Sequence, residues 1–258
     1  MKKRLALLLA GILAAASLVS CGSAGGSGSS AADKASSADS GAKLNLIIAS
    51  NQTSEENPYS LGMDKFKEVV EEKSGGKISV TVHKGTLGEN ESELVEKLEM
   101  GAANMIVVSP GFMTGIGVPE VDIFSLNYLF KSFEHWEAAL DGEFGARMKE
   151  VVKEKTGNNF RILSYWSSSV RDYYGKKPIK TPADLKGMTI RTQSSKVQQD
   201  FWKGCGAVPT SVAWGELYQA LQQGVVDAQE NPLVIFVSNA FYEVQKHLSL
   251  TGHIWTSA

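Results

Sequence analysis

The sequence predicts an α/β protein in which helices are layered on a largely parallel sheet. From Lys43 onward, short runs of branched apolar residues alternate with amphipathic stretches of helical period. Glycines close these stretches at Gly75-Gly76, Gly101, Gly187 and Gly224. Polar residues also stand at the ends of apolar runs, Arg191 and Asn231 foremost, where open α/β sheets place their ligands.

In chain order, Leu44 to Ala49 reads as a buried strand. Leu61, Phe66, Val69 and Val70 mark a helix over 59–73. Ile78, Val80 and Val82 alternate as a strand, and Leu94, Val95 and Leu98 mark the next helix. A strand is expected at Asn104 to Ser109, helices near 132–140 and 143–155, and a strand at 159–164. Thr181, Pro182 and Asp184 have the order of a helix start, and Gly187 ends that short helix. Met188 to Arg191 reads as a strand, followed by a helix from Ser194 and another from Gly215 to Gln223. Gly224 suits the left-handed C′ position of that helix, and Val225 to Gln229 forms the next strand. This arrangement puts Arg191 at the carboxyl end of its strand, Asn231 just past the end of the next, and Trp214 at a helix start facing the same region.

Length and composition narrow the function classes. The 258 residues suit one large domain or two small ones, and 43% apolar with 21% charged is an ordinary globular mix. A net charge of −2 gives no support to nucleic-acid binding. His83, His135, His247 and His253 form no metal-binding pair, and no phosphate loop, dinucleotide fingerprint or GxSxG is present, so no cofactor is expected. Cys205 reads as a small packed residue, and the acidic runs Glu55-Glu56, Glu71-Glu72 and Glu89–Glu99 read as solvated helix faces. Arg171 follows the polar-aromatic stretch Tyr165-Trp166-Ser167-Ser168-Ser169, and Arg191 ends an apolar strand. A guanidinium near a core is costly unless an anion meets it, so each arginine awaits either an ion-pair partner, solvent or a bound anion.

The amino terminus reads as a leader. Lys2, Lys3 and Arg4 precede an apolar run, Leu5 to Leu18, that is short for a membrane span and right for a signal peptide. Leu18-Val19-Ser20-Cys21-Gly22 resembles the lipobox of bacterial lipoproteins, which implies cleavage before Cys21 and lipidation of its thiol. Residues 22–42, rich in Gly, Ser and Ala, cannot form a core and read as a flexible tether spanning about 25 Å.

Several strings taken in order resemble one family. They are Asp184-Leu185-Lys186-Gly187-Met188-Thr189-Ile190-Arg191, Gly206-Ala207-Val208-Pro209-Thr210, Trp214-Gly215-Glu216-Leu217-Tyr218, Gln222-Gln223-Gly224-Val225-Val226-Asp227 and Gln229-Glu230-Asn231-Pro232. Upstream strings from Glu71 to Ile78 and from Leu126 to Phe130 agree. Together they resemble the solute-binding proteins of TRAP transporters, the DctP family, over Leu44 to the last residue. The resemblance implies a two-domain, periplasmic-binding-protein-like (type II-like) α/β fold with a ligand cleft between the domains. The expected organisation is a signal peptide at 1–20, a lipidated cysteine and tether at 21–42, domain I at 43–168 and domain II at 169–258.

The same resemblance implies function and site. A monomeric, non-enzymatic protein would capture a small organic anion, a sugar acid or dicarboxylate, and deliver it to TRAP permease membrane subunits driven by an ion gradient. It would act outside the cytoplasm, in the periplasm or on the outer face of the cell membrane, held at the membrane surface through Cys21. Arg191 takes the position of the family's carboxylate-binding arginine. Arg171 takes that of a second arginine, Asn231 that of a ligand amide and Trp214 that of a flanking aromatic, while Asn51 and Ser109 stand where relatives place first-domain polar contacts. Other expectations for such a chain are a ligand-presenting sensory subunit for a membrane kinase, or a truncated inactive paralogue. A secreted hydrolase would need a nucleophile–base pair that the sequence does not supply. Family members continue past Thr251–Trp255, so the C-terminal part of the fold is expected to be missing and the 258-residue chain to be weakly stable. A sharp melt raised by ligand would contradict that expectation.

Overall fold

A computed structural model describes residues 43–258. The leader, Cys21 and the tether lie outside the described residues. Two sheets organise the rest. The first has the order β2-β1-β3, all parallel, from Leu44–Ser50 (β1), Ile78–Lys84 (β2) and Met105–Ile106 (β3). Helix α1 (Pro58–Lys73) starts where the Asn57 side chain accepts from the Tyr59 amide and Pro58 fits the first turn. It stops before Gly75 and Gly76, which take φ of 60° and 75°. Met63 of α1 packs on Ile48, Val80 and Val107.

Helix α2 (Glu91–Glu99) is capped by Asn90, and α3 (Phe133–Asp141) and α4 (Glu143–Lys155) close a second apolar cluster with Phe124, Trp136, Leu140 and Val152. Strand β3 is shorter than expected. The Ser109 amide donates to the Glu91 carboxylate instead of a neighbouring strand, and Pro110 then begins a 3-10 run to Ile116. A second such run covers Pro119–Ser125. Residues 159–164 form no strand, which corrects the expected one. Residues 160–164 line an apolar groove with Ile106, Phe124 and Ala258.

The second sheet has the order β6-β5-β7-β4-β8. Its strands are Val170–Gly175 (β4), Thr189–Thr192 (β5), Val208–Ser211 (β6), Ala228–Pro232 (β7) and His247–Trp255 (β8). Strand β5 runs parallel to β6 and β7, but β4 is antiparallel to β7 and β8. This sheet is mixed, a correction to the largely parallel expectation. Helices α5 (Lys196–Gly204), α6 (Leu217–Gln223) and α7 (Leu233–Ser238) flank it. Strand β7 begins three residues later than expected. The Val225 and Val226 amides are taken by the Ala220 carbonyl at the end of α6, around Gly224 at φ 78°. Asn231 therefore lies within β7, opposite Asp172, rather than past its end.

Two runs of chain pass side by side between the lobes. The Trp166 amide donates to the Ala258 carbonyl at 2.8 Å, and the Ala258 amide to the Trp166 carbonyl at 2.9 Å. The Thr256 hydroxyl accepts from the Ser168 amide and donates to the Ser169 carbonyl. These bonds hold Ser169 at φ 90°, which a non-glycine residue rarely adopts. Residues 256–258 thus bond to the segment leaving the first lobe, and the Trp136 Nε1 donates to the Ser257 hydroxyl.

Candidate functional site

Between the two sheets lies a small polar cavity. Arg191, Arg171, Asn231, Trp214, Asn51 and Ser109 all line it. Topology brings them together. Asn51 and Ser109 follow the carboxyl ends of β1 and β3, Arg191 stands near the end of β5, and Trp214 follows β6. Because β4 is antiparallel to β7, Arg171 near its start meets the same edge.

The two arginines differ in their partners. Arg171 is buried, and its Nε and one terminal nitrogen grip the Glu230 carboxylate, the latter at 2.9 Å. That terminal nitrogen also donates to the Glu230 carbonyl at 2.7 Å. On the far side, His253 Nε2 lies 3.2 Å from the same carboxylate, with Nδ1 2.8 Å from the Thr251 hydroxyl. Burial works to raise the Glu230 carboxyl, but Arg171 and His253 prevail and hold it at about 2.

Arg191, 2% exposed, has no ion pair and one protein hydrogen bond among the described residues, Nε to the Val212 carbonyl at 3.0 Å. Burial lowers it to about 10, with Glu230 and Glu91 opposing that drop and Arg171 adding to it. The cavity thus holds one cation balanced by a carboxylate and one that is not.

Amides and an aromatic ring complete the lining. Asn51 Oδ1 accepts from Gln52, whose own Oε1 accepts from Asn57, so the two amide hydrogens of Asn51 stay available. Asn231 is oriented by a hydrogen bond to Gln229 Oε1. The Trp214 ring meets Phe241 edge to face at 5.6 Å. The Ser109 hydroxyl accepts from Gln193 Nε2 at 2.9 Å, a bond that crosses between the lobes.

Glu91 is a correction. Expected on a solvated helix face, it is 7% exposed and lines the cavity. One carboxylate oxygen accepts from the Ser109 amide at 2.7 Å and the other from the Ser109 hydroxyl at 3.3 Å. Burial raises its carboxyl to about 7, against the pull of Ser109 and the two arginines. The signal was in the spacing: Glu91 precedes Leu94 and Leu98 by three and seven residues, on the apolar face of α2. Tyr59, Asn90, Ser168 and Gln193 also line the cavity and were not singled out by sequence.

A second contact between lobes lies beside the cavity. Asp122 accepts from the Ser195 hydroxyl at 2.6 Å and from the Val197 amide at 3.2 Å, at the start of α5. Asp122→Ala is expected to cost about 1–2 kcal/mol of stability, because it strips a helix start and orphans a buried hydroxyl. A denaturant midpoint unchanged from the parent chain would refute this.

Comparison with known proteins follows the same lines. The family model for bacterial extracellular solute-binding protein, family 7 (DctP) matches residues 49–258. A solute-binding protein of Verminephrobacter eiseniae is 36% identical over 208 residues, which cover 80% of this chain and 61% of that protein. The chain therefore spans less than two thirds of that relative's length. Among solved structures, a TRAP periplasmic solute-binding protein from Sulfurospirillum deleyianum with bound succinate is 34% identical with a TM-score of 0.78, covering 84% of this chain and 68% of that one. Another, from a Sulfitobacter species with bound β-D-galacturonate, is 33% identical with a TM-score of 0.76, covering 83% and 70%. By match length, fold and the residues gathered at its cleft, the chain belongs to the DctP family of bacterial extracellular solute-binding proteins.

Proposed function

We propose that this chain captures a carboxylate-bearing small molecule outside the cytoplasm and delivers it to the membrane permease of a TRAP transporter. The observation that carries this reading is Arg191, a buried guanidinium that faces a polar cavity without a protein carboxylate of its own. A guanidinium fork matches a carboxylate with two parallel hydrogen bonds, which a lysine cannot reproduce. Charged hydrogen bonds contribute about 1.5–3 kcal/mol each, so two supply much of a micromolar affinity. The two solved relatives, one holding succinate and the other galacturonate, support the carboxylate class.

In this reading Arg191 binds the carboxylate, Arg171 contributes through the nitrogen that Glu230 leaves uncovered, and Asn231, Asn51 and Ser109 position the rest of the ligand. Trp214 covers its apolar face. A lipid on Cys21, beyond a tether of about 25 Å, would keep the binding body near the permease. A thermal-shift screen of uronic, aldonic and dicarboxylic acids tests the reading. At least one acid is expected to raise the melting temperature, a result that would also overturn the expectation of a weakly stable chain, and a flat response to all of them would refute the reading.

A further inference from the structure

We infer that the site selects a hydroxylated monocarboxylate over a dicarboxylate, and that Glu91 is the residue that makes this choice. The inference rests on the carboxylate-binding reading above and narrows its ligand class. The cavity has two unlike walls, one from each lobe. Arg191, on the second lobe, lacks an anion, whereas Glu91, on the first, is an anionic acceptor enclosed by protein. A carboxylate has about four lone-pair sites. Ser109 fills one on each oxygen of Glu91, so one on each oxygen remains.

What fills those sites decides the ligand. A ligand hydroxyl donates to them. A second ligand carboxylate has no hydrogen to give and brings like charge against a buried anion. The neighbouring Ser109 hydroxyl cannot relieve such a clash, since its hydrogen is committed to Glu91 and it accepts from Gln193. The amide hydrogens of Asn51 suit ligand oxygens along the same wall. An anionic head for Arg191 with donor hydroxyls toward Glu91 describes an aldonic or uronic acid.

The groups that face Glu91 give the choice a pH dependence. Ser109 bonds to it, its charged neighbours are Arg191 of β5 and Arg171 of β4, and the neutral phenol of Tyr59 on α1, raised by burial, lies nearby. Burial moves the Glu91 carboxyl from 4.5 to about 7, so the folded chain takes up this proton more readily than the unfolded one. Stability from this group is present at low pH and declines as pH rises from about 4.5 through about 7. Protonated Glu91 can donate, so discrimination against a dicarboxylate weakens on acidification.

Calorimetry with galacturonate, gluconate and succinate at pH 8, on the 258-residue chain and on Glu91→Gln, tests the inference. The parent chain is expected to bind at least one hydroxy acid tenfold or more tighter than succinate. Glu91→Gln should weaken that hydroxy acid about tenfold and narrow or reverse the ratio. Its unliganded melting temperature should rise by about 5 °C at pH 8 and by less at pH 5, which separates lost recognition from lost folding. Succinate bound as tightly as the hydroxy acids, or a ratio unmoved in Glu91→Gln, would overturn this inference alone. Binding of none of the three acids would overturn the carboxylate reading as well.

Discussion

Arg191→Lys is expected to weaken carboxylate binding tenfold or more while leaving the chain folded. Nε is already committed to the Val212 carbonyl, which fixes the plane of the guanidinium and leaves its two terminal nitrogens as donors. Lysine keeps a charge but loses the fork and its anchor. Losing one to two charge-assisted hydrogen bonds at about 1.5–3 kcal/mol each gives a factor of roughly ten to ten thousand. Calorimetry with the acid that scores highest in the thermal-shift screen reads the loss, and circular dichroism checks the fold. Affinity within threefold of the parent would remove Arg191 from the site.

The second large effect concerns folding rather than recognition. Glu230→Gln should destabilise the chain by about 3–5 kcal/mol, because it leaves the buried Arg171 charge unmatched. Arg171 and Glu230 are 6% and 0% exposed, so water cannot substitute for the missing partner. The double variant Arg171→Met, Glu230→Gln should recover part of the loss, since removing both charges is far cheaper than removing one. Acid provides an independent check. The Glu230 carboxyl sits at about 2, below its ordinary 4.5, so its contribution is present above about pH 4.5 and lost as pH falls through about 2. Denaturant titrations at pH 7 read both variants, and equal midpoints for Glu230→Gln and the parent would exclude the ion pair as a source of stability.

Local chemistry made much of this fold legible. Asn57-Pro58 and Ser195 start helices through side-chain caps, and Gly75, Gly187 and Gly224 take the left-handed turns that end neighbouring elements. Arg191 stands near its strand end, after the buried Met188 and Ile190 that mark the run as a strand. Less legible was whatever depends on distant partners. Strand β4 carries Arg171, whose partner the sequence left open, and Asp172: Glu230, 59 residues away, neutralises the first and the Gly252 amide donates to the second. No local period in the sequence marks the antiparallel placement of β4 beside β7 and β8. Glu91 was lost among neighbouring glutamates, since composition marks a solvated face while helical phase marks a buried one. The 159–164 run has strand-like composition, but residues 160–164 line an apolar groove and form no strand.

The paired crossing at Trp166–Ser169 and Thr256–Ala258 constrains how the halves can move. Hydrogen bonds from the Thr256–Ala258 run brace the Trp166–Ser169 link against torsion, as a splint stiffens a joint. Hydrogen exchange at the Trp166 and Ala258 amides is expected to be slow beside that of the flanking loops, and rapid exchange there would show the splint to be loose.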